Sequence, residues 1–261
     1  MAGHSQYANI RFRKDRVDAK RAKTFAKLSR MITVAARQGG GSLDMNARLR
    51  LAVEKARVLG MPKDGIERAI KKGTGEGDLG NYEEIVYEGY GPGGVAIMMD
   101  ILTDNRHRTA ADVRIALDKY GGNLGTTGSV AWMFDRRGSF LVDPQPEHEG
   151  KNPPPPLTEE QLLEVVVEVG ADDLVPQGDR FQILCDATRF AEVQAGLADR
   201  GLRLVSADLA YVPSQSAAVA DLDVATRLLK LIDALEDNDD VQSVFSNEQL
   251  TDAVRSALEE S

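Results

Sequence analysis

The eight residues 73–80, GTGEGDLG, hold four glycines and separate a pair of stretches with different fold plans. Upstream, apolar residues recur at helical spacing; downstream, short apolar runs of strand length take over. The charge divides at the same place. Residues 1–80 carry 18 Lys/Arg against 8 Asp/Glu, a net of +10, and residues 81–261 carry 14 against 33, a net of -19. The whole-chain charge of -9 conceals this split. Asymmetry of that size points to a separable arm or domain for polyanions. A chain of 261 residues is long enough for one large domain or two to three small ones.

Several classes are excluded early. The lone cysteine, Cys185, rules out an intramolecular disulfide and any Cys-cluster zinc site. It alternates with Phe181 and Ile183, so a buried core thiol is expected. No apolar run approaches the roughly 18 residues that cross a bilayer, and the opening MAGHSQYANIRFRK lacks the apolar core of a secretory signal. A cytoplasmic protein with no membrane partner is therefore expected. His4, His107 and His148 have no metal-ligand or catalytic partner at useful spacing, so no metal, cofactor or catalytic residue is assigned.

In the basic stretch, Ala22, Phe25, Leu28, Ile32 and Ala35 fall on one face of a helix over about residues 15–38. Steps of about 100° put Arg16, Lys20, Lys23, Lys27 and Arg30 together on the opposite face. That stripe is about 21 Å long at roughly 1.5 Å per residue. It can follow several phosphates, each neutralised contact releasing a counterion. The preceding arm interleaves Arg11, Arg13 and Lys14 with Tyr7 and Phe12, and aromatic faces beside cations suit stacked bases. Two more helices follow: residues 46–59, and a third opened by Pro62 and closed by Gly73 as a C-cap. The turn Leu59-Gly60-Met61 fits helix-turn-helix geometry as well as a plain helical hairpin.

Beyond the glycines, residues 95–102 and 129–134 read as strands. The helix between them is expected to start at Thr109, with Asp112 completing a capping box, and to bury Val113, Leu117 and Tyr120. Residues 224–235 form an amphipathic helix and 241–246 a strand. Between these pieces lies an insertion with the order βαββαβ, the ferredoxin-like pattern. The expected organisation is α+β and multidomain. A three-helix domain over 1–80 precedes an α/β domain over 81–137 and 212–261, interrupted by a ferredoxin-like domain over 138–211.

The glycines in EGYGPGGVAIMMDIL are read as turn chemistry, since no strand is expected before them and no helix after, as a dinucleotide fingerprint requires. Arg106 and Arg108 stand at a strand-to-helix junction, a candidate anion site at a helix N-terminus. Residues 235–241, LEDNDDV, form a carboxylate run without calcium-loop spacing. A solvated helix end facing a basic partner surface is the expectation there, ahead of a divalent-ion site. Residues 144–156 hold six of the ten prolines and read as a stiff exposed excursion.

MAGHSQYANIRFRKDRVDAKRAKTFAKL, NARLRLAVEKAR, GMPKDGIERAIKKG, YEGYGPGGVAIMMDILTDNRHRTAADVR, GGNLGTTGSVAWMF and LEDNDDVQSVFSN, in this order, resemble the YebC/PmpR family. The resemblance implies three domains, one helical and two α/β, one inserted into the other. It also implies regulation of gene expression, as a DNA-binding transcriptional regulator or a translational activator on the ribosome. Gln6, Tyr7 and Phe12 stand where that family commonly has Lys, Trp and His; Tyr7 keeps a ring that can stack.

A non-enzymatic nucleic-acid-binding regulator is the leading expectation. Arg11, Arg13, Lys14, Arg16, Lys20, Lys23, Lys27 and Arg30 are the candidate phosphate contacts and Tyr7 the stacking residue. Promoter DNA and ribosomal RNA, the latter with the ribosome as partner, both remain open, because phosphate contacts position without specifying sequence. A protein-interaction adaptor using the acidic portion is the rival class. A metal-dependent hydrolase built on Glu236, Asp239 and Asp240 stands third.

Overall fold

The computed structural model describes residues 17–75, 82–145 and 155–259. Three helices come first: α1 (Val17–Gly39), α2 (Ala47–Val58) and α3 (Lys63–Thr74). Leu28, Ile32 and Ala35 of α1 are buried against Leu49, Val53, Ala56, Ile66 and Ala69. Ala22 is exposed, since the packed face of α1 begins at Phe25. Asn46 starts α2: its Oδ1 accepts the Leu49 N–H at 3.0 Å, and its Nδ2 donates to the Ala35 and Gly40 carbonyls at 2.8 Å each. One side chain thus caps α2 and ties it to the end of α1. Gly73, expected as a C-cap, lies inside the last turn of α3. A Cβ there would stand 2.3 Å from the Thr33 carbonyl oxygen, so glycine serves close packing of α3 on α1.

The chain continues as β1 (Glu83–Tyr90), β2 (Ala96–Thr103), α4 (Arg106–Lys119), β3 (Asn123–Leu124) and β4 (Phe134–Asp143). Then come α5 (Glu159–Val169), β5 (Asp173–Gln177), β6 (Arg180–Asp186), α6 (Phe190–Asp199) and β7 (Arg203–Pro213). The last elements are β8 (Ala217–Val219), α7 (Leu222–Glu236), β9 (Val241–Ser246), β10 (Glu248–Leu250) and α8 (Asp252–Glu259).

One antiparallel sheet has the order β3-β1-β2-β9, and α4 and α7 bury Val113, Leu117, Leu228, Leu231 and Leu235 against Ile97, Met99 and Ile101. A second antiparallel sheet, β5-β6-β4-β7, carries α5 and α6 over Phe140, Val142 and Ile183. Its order and its βαββαβ sequence are those of a ferredoxin-like unit. Cys185 is buried in that core, and burial raises its thiol to about 11. A smaller cluster with Met98, Phe134, Ala210 and Phe245 joins the two sheets, while β8 and β10 pair in parallel at the side. The molecule is α+β.

Three further expectations are corrected. A strand, β1, does precede Gly91, Gly93 and Gly94 and contains Gly89, but β2 follows in place of a helix, so the three glycines connect a hairpin. Residues 129–134 are not a strand: Ala131–Met133 is a 3₁₀ turn, and β4 begins at Phe134. Helix α4 starts at Arg106, with Asn105 as N-cap accepting the Arg108 N–H at 3.1 Å; Thr109 is buried within it. The β8–β10 pair and α8, unforeseen in the sequence, complete the C-terminal region. The proline-rich excursion closes on itself, Leu157 N–H donating to the Pro144 carbonyl at 2.8 Å; residues 146–154 lie outside the described residues.

Candidate nucleic-acid interface

Helix α7 ends at Glu236, and its last carbonyls, the negative pole of the helix dipole, project beside Asp237, Asp239 and Asp240. Three cations of the α1 stripe meet this end. Lys23 Nζ pairs with Asp237 Oδ1 at 3.3 Å. Lys27 is only 6% exposed and donates to the Glu236 carbonyl at 2.7 Å and to the Val241 carbonyl. It therefore caps the C-terminus of α7. Burial lowers the Lys27 ammonium to about 8, with Lys23 adding to the fall and Glu236, Asp239 and Asp237 opposing it. Arg30 donates to the Asp239 carbonyl at 2.8 Å and to Asp240 Oδ1 at 3.1 Å, with its guanidinium 5.8 Å from the Tyr82 ring centre.

Asp240 is the hub of this seam. Its Oδ2 accepts from Thr103 at 3.1 Å, from Thr109 at 2.8 Å and from Arg108 at 2.8 Å, while Oδ1 takes Arg30. Burial pushes the Asp240 carboxyl up, but the donors from Arg108, Thr109 and Thr103 outweigh it and hold it below the usual carboxylate range. The anion at the first turn of α4 is thus supplied by the chain itself. Arg108 also pairs with Asp104 at 2.9 Å; Arg106 is exposed, and its carbonyl accepts the Tyr87 hydroxyl at 3.1 Å. Among the described residues no group of three His, Cys, Asp or Glu could hold a metal ion.

The structure therefore divides the sequence-derived set. Lys23, Lys27 and Arg30 come together against the acidic run, Lys27 buried and Lys23 and Arg30 part-exposed. Tyr7, Arg11, Arg13, Lys14 and Arg16 lie outside the described residues, as does the side chain of Lys20. The helical unit also exposes cations that the stripe did not include: Arg21, Arg50, Arg57, Lys63, Arg68, Lys71 and Lys72. The only sequence signals for these are the charge count and helical register, Arg50 and Arg57 being seven apart on α2 and Arg68, Lys71 and Lys72 sharing one face of α3.

Where the helical unit meets both sheets lies a cavity of about 420 Å³ lined by Arg48, Lys55, Asp100, Arg136, Asp208 and Gln242, among others. Lys55 pairs with Asp208 at 2.6 Å, and Arg48 with Glu84. Burial raises the Asp100 carboxyl to about 6, against the pull of Lys55 and Arg136 and with Asp208 adding to the rise. The Gln242 amide is buried, with neither polar atom hydrogen-bonded among the described residues. Apolar side chains such as Met31, Leu51 and Ile85 share the lining with these charged and amide groups.

Among the described residues no helix is long and apolar enough to cross a membrane. Residues 5–76 match the family model described as the TACO1/YebC protein N-terminal domain, and residues 82–248 match that of the TACO1/YebC second and third domain. A protein of Halothermothrix orenii, named a probable transcriptional regulatory protein, is 48% identical over 260 residues, covering 100% of each chain. One of the same name from Syntrophotalea carbinolica is 49% identical, covering 97% of each. The crystal structure of a conserved hypothetical protein from Aquifex aeolicus is similar with a TM-score of 0.82 and 42% identity, over 95% of this chain and 98% of that one. With nearly its full length matched in order by both models, the chain belongs to the TACO1/YebC family.

Proposed function

We propose that this protein is a non-enzymatic, DNA-binding regulator of transcription that engages nucleic acid through its basic N-terminal unit. The observation that carries this reading is the charge division: net +10 over residues 1–80 against -19 over the rest. Exposed cations on all three helices of the unit support it, as does the name shared by the relatives above. Arg11, Arg13, Lys14, Arg16 and Lys20 are the phosphate contacts of this proposal, Arg21 extends them, and Tyr7 stacks on a base. Arg106, exposed at the start of α4, is the remaining candidate anion contact of the acidic portion, with Arg108 committed to Asp240.

The test is the salt dependence of binding to a duplex DNA and to a ribosomal RNA fragment of equal length. Replacing Arg13, Lys14 and Lys20 together by Ala is expected to weaken binding. The slope of log K against log salt should flatten by about two to three, since each phosphate contact on duplex DNA contributes about 0.9. An unchanged slope removes these residues from the interface. Tighter binding to the ribosomal fragment at equal salt selects the translational role over the transcriptional one.

A further inference from the structure

We propose that residues 236–241 act as an intramolecular decoy for nucleic acid, holding Lys23, Lys27 and Arg30 of α1 until a polyanion displaces them. The inference rests on the nucleic-acid reading above and concerns the regulation of that same surface.

The chemistry on the two sides is interchangeable. Lys23, Lys27 and Arg30 stand at i, i+4 and i+7 on one helix face, spaced over about 10 Å. What they meet is a short run of anionic and carbonyl oxygens: the Asp237 and Asp240 carboxylates and the Glu236, Asp239 and Val241 carbonyls. A phosphate backbone offers the same three donors the same kind of acceptor. Because the cations are engaged in cis, their contribution to polyanion binding is available only once that contact opens.

The joint has the character of a contact that can open. The apolar core of the helical unit is built wholly from residues between 25 and 70, so releasing the unit does not expose its interior. Its ties to the rest of the molecule are largely polar: the ion pairs Lys23–Asp237, Arg30–Asp240, Arg48–Glu84 and Lys55–Asp208 and the Lys27 and Arg30 hydrogen bonds to main-chain carbonyls, with Leu51 packing on the inserted core. The exposed pairs, Lys23–Asp237 and Arg48–Glu84, weaken with salt, and all of these cations can exchange one anion for another, which apolar ties cannot do. A half-open pocket of about 420 Å³ lies farther along the joint, beside Arg48 and Lys55.

Such a decoy also sets a threshold. A weak or short polyanion fails to displace residues 236–241, while one that first engages the remaining cations of the unit gains the three released ones as well. Specificity then follows from competition in addition to attraction.

The test uses the full chain and a fluorescein-labelled 20-base-pair DNA duplex. Carboxylates are labelled with carbodiimide and glycine ethyl ester, with and without saturating duplex, and read by mass spectrometry. Asp240, 6% exposed in the closed arrangement, is expected to gain label about threefold or more when DNA binds. In parallel, D237N/D239N is expected to tighten DNA binding by about two- to tenfold and to steepen the salt slope. The charge-matched control D112N/D118N, on exposed positions of α4, should change it less. DNA binding with Asp240 labelling unchanged, or equal effects of the two double variants, overturns the decoy and leaves the nucleic-acid reading standing. Absence of binding to the duplex at low salt by the wild type and both variants overturns the reading itself and the decoy with it.

Discussion

Asp240→Ala is expected to lower the free energy of unfolding by about 3–5 kcal/mol, the range for removing one member of a buried charged network. The side chain is 6% exposed and accepts from Arg30, Arg108, Thr103 and Thr109. Truncation leaves Arg30 the Asp239 carbonyl and Arg108 the more exposed Asp104 as partners, and takes from the buried Thr103 and Thr109 hydroxyls their charged acceptor. Asp240→Asn keeps one acceptor oxygen and should cost less. Urea denaturation at neutral pH measures both, and equal stability of wild type and Asp240→Ala would show that the hub is dispensable. The pH sign follows from the lowered carboxyl. Its stabilisation is present above the ordinary aspartate value and is lost as pH falls through the depressed folded-state value. Acid should therefore narrow the gap between wild type and variant.

Glu88→Ala is the second large effect, expected at about 3 kcal/mol or more. Glu88 is 4% exposed and its carboxylate accepts three main-chain N–H groups: Gly128 at 2.7 Å, Val130 at 2.8 Å and Ala131 at 2.9 Å. Burial opposes ionisation, yet these three donors hold the Glu88 carboxyl below the usual value. Without it, the donors of the turn that leads into β4 are orphaned. Glu88→Gln retains one accepting oxygen but turns an amide N–H₂ toward one or more of the same donors, so an intermediate loss of about 1–2 kcal/mol is expected. Thermal unfolding and hydrogen exchange across residues 126–134 give the readout. Loss of protection confined to that segment identifies local opening, and unaltered protection contradicts the role assigned to Glu88.

These two carboxylates also mark the limit of what the sequence makes legible. Local signals serve well wherever the cause is local. Helical spacing places α1 to α3, the cap at Asn46 is visible as an Asn before an apolar repeat, and the alternation around Cys185 places its strand in the inserted core. The βαββαβ order follows from such pieces, and the antiparallel order of the second sheet agrees with it.

Long-range partners decide the rest. Residues 129–134 carry the apolar run of a strand, but Glu88, some forty positions earlier, takes the N–H groups of Val130 and Ala131 and bends the segment into a 3₁₀ turn. Strand β1 is hard to read in the sequence because its core-facing Ile85 and Tyr87 alternate with Val86 and a buried Glu88, with no apolar run of strand length. By spacing alone, Lys27 is one more cation on a solvated face. Its burial comes from carbonyls more than two hundred residues away. The acidic run of residues 235–241 has the composition of a surface for a basic partner, and in the folded chain the basic surface it meets is α1 itself. The charge division is legible from composition; the pairing of its two halves is not.

Residues 1–75 are the surface proposed to meet nucleic acid. Ultraviolet crosslinking in cells, followed by identification of both the crosslinked peptides and the attached nucleic acid, tests it most directly. Crosslinks are expected to concentrate in peptides from residues 1–75, above all those around Tyr7 and Lys20, with the attached sequences naming promoter DNA or ribosomal RNA as the target. Crosslinks confined to residues 82–259, or none above an unrelated acidic control protein, would contradict it.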